Sequence, residues 1–228
     1  QAGQGNFGNF NEPFDTQAGY DLTMQVSPTD PNLVLLGGVN LYRSTDGFAT
    51  NTNTKRIGGY QPGNENGTYT NSHPHVHAGV FQPGSSTVYF SGHDGGISRT
   101  DDITGNVTAN NPVTWFSRSG SFNVTQFYAV SLDPENGSNV MAGGFQDNGS
   151  YVTTSAVLTT PWNAINSGDG GYCSIPPLAD DRYYSTSQNG DIDRVNRDGS
   201  NGAAMKPTGL GNPAFINPHI LDPNNSSI

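Results

Sequence analysis

The segment MQVSPTDPNLVLLGGVNLYRSTDG, residues 24–47, recurs in outline along the chain, and this recurrence limits the fold more than any other feature. It can be laid over AGVFQPGSSTVYFSGHDGGISRTDD (78–102), YAVSLDPENGSNVMAGGFQDNGSYVTT (128–154), CSIPPLADDRYYSTSQNGDIDRVNRDG (173–199) and an opening AFINPHILDPNNSSI (214–228). Each begins with alternating apolar residues, reaches a Pro- or Asp-containing corner and continues into a second apolar run. A glycine-containing turn and a third short strand follow. The corners at Pro28/Pro31, Pro83, Pro134, Pro176/Pro177 and Pro223 give a period of roughly 40 to 55 residues, the length of a four-stranded propeller blade. Segments such as TVYFSG and FYAVSLD alternate with the period of two that marks strands, and no helical period of comparable strength competes.

The expected fold is therefore all-β, a β-propeller of four-stranded blades with about four blades plus the start of a fifth. It forms one partial propeller over 1–228, with blade-like units at about 20–70, 71–120, 121–165 and 166–212 and an opener at 213–228. An open arc leaves strand edges unpaired, which folded proteins avoid. Further blades of the same chain, or a partner closing the propeller, are expected to complete the ring.

Composition agrees with many strands and turns. Thirty glycines and 15 prolines supply turn corners, while 10 Tyr and 11 Phe give a core that a disordered chain would lack. A net charge of −10 argues against a nucleic-acid partner, since phosphate binding needs basic density. No apolar run approaches the roughly 18 residues of a membrane span. Cys173 is the only cysteine, so no intrachain disulfide forms, and it reads as a small buried hydrophobe. Few lysines, abundant Asn, Thr, Ser and Gly, and sequons at Asn66, Asn106, Asn123, Asn136, Asn148 and Asn225 point to an extracellular or cell-surface location.

The turns divide into two kinds. RSTDGFAT (43–50) is an imperfect Asp-box in which Asp46 can accept backbone N–H bonds across a hairpin while glycine takes the left-handed conformation. Asp46, Asp101 and Asp198 are read as turn staples, and Arg43, Arg99 and Arg194, at similar places in their units, as packing residues. HDGG (93–96), QDNG (146–149) and GDGG (168–171) each set one Asp beside glycines at a comparable position. Glycoside hydrolysis needs two carboxylates, one acid and one base or nucleophile. Asp94 and Asp169 are the candidate catalytic pair and Asp147 the third member; the alternative is that all three cap their turns. Tyr128, Trp115, Trp162, Tyr172, Tyr183 and Tyr184 are candidates for a sugar platform, with the two tryptophans at blade ends reading as core.

His73, His75 and His77 occupy alternate positions, so on a strand they would share one face. That spacing suits Zn²⁺ or another divalent metal, with His93 or Asp94 as a further ligand. Contact with a ligand at a channel mouth and hydrogen bonding between blades are the other two readings. Pro74 makes the start of this segment an edge or a loop.

The units DPNLVLLGGVNLYRSTDG, VYFSGHDGGISRTDD, GGFQDNG followed by W…GDGGY, and SQNGDIDRVNRDG resemble the secreted Asp-box (BNR-type) β-propellers, including the sortilin-like domains and the two-propeller xyloglucanase-like glycosyl hydrolases. Such chains are found in Bacteroidetes-like bacteria as cargo of type IX secretion. The resemblance runs over roughly residues 20–228. It implies a catalytic role for an Asp in an Asp-x-Gly-Gly turn followed by a strand Arg; DGGISR (94–99) is similar but one residue shorter. It also implies a His-x-Asp-x-His pattern where His75 here replaces the Asp. No sialidase-type arginine triad can be assembled from the scattered arginines. Two functions follow as expectations: a surface propeller that binds glycan or protein ligands as an adhesion or assembly module, or a glycoside hydrolase acting on an extracellular polysaccharide.

Overall fold

The computed structural model describes residues 14–105, 113–122, 125–157, 159–177, 180–198, 200 and 202–222. Asn106, Asn123, Pro223 and Asn225 lie outside them. Two compact units divide the chain, Gln1–Asn123 and Val124–Ile228. Among the described residues both are all-β, apart from 3-10 turns at Gln17–Gly19 and Gln188–Gly190. Among the described residues no helix is long and apolar enough to cross a membrane.

The first unit holds two four-stranded antiparallel meanders. One is β1 (Thr23–Val26), β2 (Val34–Gly37), β3 (Leu41–Ser44) and β4 (Thr54–Gly58). A small hairpin follows, β5 (Tyr60–Gln61) with β6 (Asn64–Thr68). The other meander is β7 (Val76–Phe81), β8 (Tyr89–His93), β9 (Gly96–Thr100) and β10 (Phe116–Ser117). The second unit repeats the plan with β11 (Phe127–Leu132), β12 (Met141–Phe145), β13 (Gly149–Thr153) and β14 (Asn163–Asn166). Its last sheet is β15 (Cys173–Ser174), β16 (Arg182–Thr186), β17 (Ile192–Asn196) and β18 (Ala203–Ala204).

The corners explain why the runs turn where they do. Asp30 and Asp133 each accept the N–H two residues on, of Asn32 at 2.9 Å and Glu135 at 3.0 Å. Ser85 does the same for Thr87 at 3.2 Å. These local bonds replace a strand ladder with a turn. One backbone bond then closes each hairpin: Ser27 to Leu33, Gln82 to Val88 and Asp133 to Val140.

Each core lies between the two sheets of its own unit. Leu35, Leu41, Ile57, Val76, Tyr89 and Trp115 are buried together in the first. Ala142, Val152, Cys173, Ile175 and Tyr183 are buried together in the second. Burying a side chain such as Leu41 or Ile57 stabilises by about 1.5–3 kcal/mol. Sheets meet through their earliest strands, β1 beside β7 in one unit and β11 beside β15 in the other. Central strands are buried on both faces, as in β2, whereas β1 alternates and leaves Met24 and Val26 exposed.

The third strands carry the repeated arginines. Arg43 is fully buried and its guanidinium donates to the carbonyls of Ile103 and Gly105. Arg99 pairs with Asp101 at 2.6 Å. Asp46 staples its hairpin: Oδ1 accepts from Ser44 Oγ at 2.8 Å, and Oδ2 from Thr50 Oγ1 at 2.6 Å and Asn53 Nδ2 at 3.0 Å. Those bonds, that of Thr50 foremost, hold its carboxyl down at about 2. Asp198 accepts the N–H of Ser200 at 2.8 Å.

The opener departs from expectation. Residues 213–221 form no strand, and Pro213 and Pro218 remove donors that a ladder would need.

Candidate functional site

Three candidate residues of the first unit, His75, His77 and Asp94, gather around a carboxylate that the sequence pattern does not single out. Asp21 precedes β1 and follows the 3-10 turn Gln17–Gly19. Thr16 anchors that turn: its carbonyl accepts from Gly19 at 2.9 Å and from Asp21 at 3.0 Å. The Asp21 side chain is 0% exposed. Its Oδ2 lies 2.8 Å from His75 Nδ1, and its Oδ1 lies 3.6 Å from His77 Nδ1 with no hydrogen-bond partner. The other nitrogen of His77, Nε2, meets Asp94 Oδ1 at 2.5 Å. A chain of contacts thus runs His75, Asp21, His77, Asp94.

The histidines do not share a strand face. Strand β7 begins at Val76, so His73 and His75 precede it, and His75 has φ +63°. A left-handed backbone costs a residue with a Cβ about 1 kcal/mol. His75 is held there from three sides: its N–H donates to Val39 at 2.9 Å, its carbonyl accepts from Asp94 at 3.2 Å, and its ring meets Asp21. His77 is the extra residue of a bulge, for Val76 pairs with His93 and Ala78 with Gly92. Bulges re-aim a side chain beside the ladder, and this one lets His77 reach both carboxylates. Tyr128 is the corresponding bulge residue between Phe127 and Ala129 of β11.

His73 and His93 go elsewhere. His73 Nδ1 lies 3.0 Å from the carbonyl of Pro74, and its ring centre is 6.0 Å from that of His93. Gly95 lacks a Cβ because His73 sits against it, and Gly96 takes φ +111° to close the turn. His93 is buried, with Nε2 2.8 Å from Ser98 Oγ and Nδ1 unpartnered. The Ser98 hydroxyl donates to the carbonyl of Asn71, so the imidazole is the donor to Ser98. Burial first, and the neighbouring His73 second, push His93 down to about 4. Among the described residues no group of three His, Cys, Asp or Glu side chains is placed to hold a metal ion.

The three turn aspartates are not equivalent. Asp94 and Asp147 stand in the second-to-third-strand turns β8–β9 and β12–β13, whereas Asp169 lies in the crossover from β14 to β15. Asp94 belongs to the first unit, and Asp147 and Asp169 to the second. Asp169 Oδ1 accepts the backbone N–H of Asp147 at 3.0 Å, and the Asp169 N–H donates to Gln188 Oε1 at 2.9 Å. Gly170 N–H also bonds the Phe145 carbonyl at 2.9 Å, lacing the crossover to the β12–β13 turn. Asp147 itself has φ +59° and is exposed.

Half of the aromatic platform is buried, and Trp162, read from the sequence as core, is half-buried. Trp115, Tyr183 and Tyr184 are buried, and Trp115 Nε1 donates to the Ile57 carbonyl at 2.7 Å. Trp162 packs on Phe127 and Phe145. Tyr172, 37% exposed, and the half-buried Tyr128 remain accessible. The ring beside the histidines is instead Tyr20, 53% exposed, which meets His77 edge-on at 5.0 Å. In the second unit an open apolar groove of about 290 Å³ runs between Leu132, Ile175, Pro176 and Ile220.

No protein family model matches the chain, and no curated protein does.

Proposed function

We propose that the chain is an extracellular or cell-surface module of Asp-box β-propeller type that binds a glycan or protein ligand, its ring completed by further blades or a partner. The observation that carries this reading is the bond from the Asp147 N–H to the Asp169 carboxylate at 3.0 Å. A carboxylate that holds another turn's backbone is a fastener, and it ties two of the three candidate catalytic residues into one structural knot. The four four-stranded meanders, sheets meeting through their first strands within each unit, and the fully bonded Asp46 hairpin support the propeller part.

A second reading is favoured by one observation. The Asp94 carboxylate is held by the His77 ring, and that arrangement suits an acid–base group in a glycoside hydrolase. The experiment screens the protein against neutral and charged glycans and against surface proteins, and assays release of reducing ends. Saturable binding without release is expected. Release of reducing ends that disappears in Asp94→Asn overturns the binding module in favour of hydrolysis, and absence of any ligand overturns both.

A further inference from the structure

An asparagine followed by glycine has its side-chain amide open to the next backbone nitrogen, because glycine has no Cβ to stand in the way. Three such pairs have both residues among the described side chains: Asn136–Gly137, Asn148–Gly149 and Asn189–Gly190. Two of them are pinned. The Gly149 N–H donates to the Gly168 carbonyl at 2.7 Å, and Asn148 Nδ2 donates to the Gln146 carbonyl at 2.8 Å. Asn189 sits at φ +63°, its N–H bonded to the Phe215 carbonyl at 2.9 Å and its own carbonyl accepting from Lys206 Nζ at 2.9 Å. Gly190 is buried, with Pro213 against it. Asn136 and Gly137 are instead exposed in the corner between β11 and β12, and a Cβ on Gly137 would meet nothing within 4 Å. Among the described residues neither the Asn136 amide nor the Gly137 N–H has a protein hydrogen-bond partner. The corner is framed by its neighbours: Asp133 accepts from the Glu135 N–H at 3.0 Å and from Ser138 Oγ at 2.8 Å, and the Ser138 N–H donates to the Glu135 carbonyl at 3.1 Å.

We infer that Asn136 is a self-modification site, at which the folded protein converts the asparagine to aspartate and isoaspartate with water as the only co-reactant. The Gly137 nitrogen attacks the Asn136 side-chain carbonyl carbon. A C–N bond forms and closes a succinimide ring, and the amide nitrogen leaves as ammonia with the proton that the Gly137 N–H gives up. Water then opens the ring, giving aspartate at one carbonyl and isoaspartate at the other. In isoaspartate the main chain runs through the β-carbon, so the corner gains a backbone atom between Glu135 and Gly137. Corner length sets the register of a hairpin, here the pairing of Leu132 with Met141. Either product adds a carboxylate to a corner that already carries Asp133 and Glu135. Leu132 and Pro134 line the apolar groove of the second unit, so conversion at Asn136 alters one wall of that groove.

The test incubates the native protein in warm, mildly alkaline buffer and follows each Asn-Gly peptide by mass spectrometry, with isoaspartate identified by an isoaspartyl methyltransferase. Asn136 is expected to convert about tenfold or more faster than Asn148, whose two hydrogen bonds must break first, and faster than Asn189. In urea, where those bonds are gone, the three rates are expected to converge. Asn136→Gln, at an exposed position, should abolish the fast conversion, because glutamine would have to close a larger ring, and leave the two slow ones. The modified fraction, separated by its added charge on ion exchange, is expected to exchange the Asp133 amide, bonded to the Val140 carbonyl, faster with deuterium than the parent does. Conversion at Asn136 no faster than at Asn148 or Asn189 in the folded protein overturns the inference. A glycan on Asn136, the first residue of the sequon Asn-Gly-Ser, also overturns it, because the amide is then blocked. Unchanged exchange at Asp133 in the modified fraction overturns the effect on the corner.

Discussion

His93 makes the first unit acid-sensitive in a way that can be worked out before any measurement. Its imidazole is buried, donates through Nε2 to Ser98 and has no acceptor at Nδ1 for a second proton. Burial lowers it from 6.5 to about 4. As pH falls, the unfolded chain takes up this proton first. The stabilisation is therefore complete above pH 6.5 and is lost as pH falls towards about 4. At about 1.4 kcal/mol per pH unit the gap corresponds to about 3 kcal/mol. His93→Gln keeps a donor for Ser98 and removes the titration. Urea unfolding should be followed by Trp115 fluorescence in a Trp162→Phe background, so that the signal belongs to the first unit. Between pH 7.5 and 4 the parent is expected to lose about 3 kcal/mol more than the variant. Curves that run parallel within about 0.5 kcal/mol would refute the claim that the folded unit holds His93 neutral.

Two further substitutions probe the packing that carries the sites. Arg43→Met removes the guanidinium that satisfies the Ile103 and Gly105 carbonyls. A loss of about 2–4 kcal/mol in urea unfolding is expected, and a neutral result would mean that those carbonyls are otherwise satisfied. Gly144→Ala places a methyl on the backbone of Gly170 and Gly171, where β12 meets the crossover that carries Asp169. It should cost about 2 kcal/mol or more, whereas Gly137→Ala, with open space but φ +81°, should cost about 1 kcal/mol; equal losses would contradict the close approach.

Legibility followed the range of the interactions. The alternation in TVYFSG, the Pro- or Asp-containing corners and the Asp46 hairpin depend on neighbours a few residues away, and such features can be read from residue order. The Arg43 packing role was legible for a different reason, since recurrence of the arginine as Arg43, Arg99 and Arg194 in three of the units marks a residue of the unit rather than of a site. The shared strand face of the histidines is not formed, because His-Pro-His-Val-His spells alternation in letters while the backbone is in the left-handed region at His75 and bulged at His77. Pro74 was the one local signal, and it marked the start of the segment as an edge or loop without saying where the rings would turn. Asp21 had no signal of its own: it is a single acidic residue between Tyr20 and Leu22, and its role comes from contact with residues 54 positions away. The Asp-Gly-Gly turns show the same limit. HDGG and GDGG are nearly the same string, yet one closes a hairpin and the other bridges two sheets, because strand count and not local composition decides which turn is which. Asp94 therefore faces a histidine while Asp169 faces a backbone amide. That difference in partner is invisible in the string.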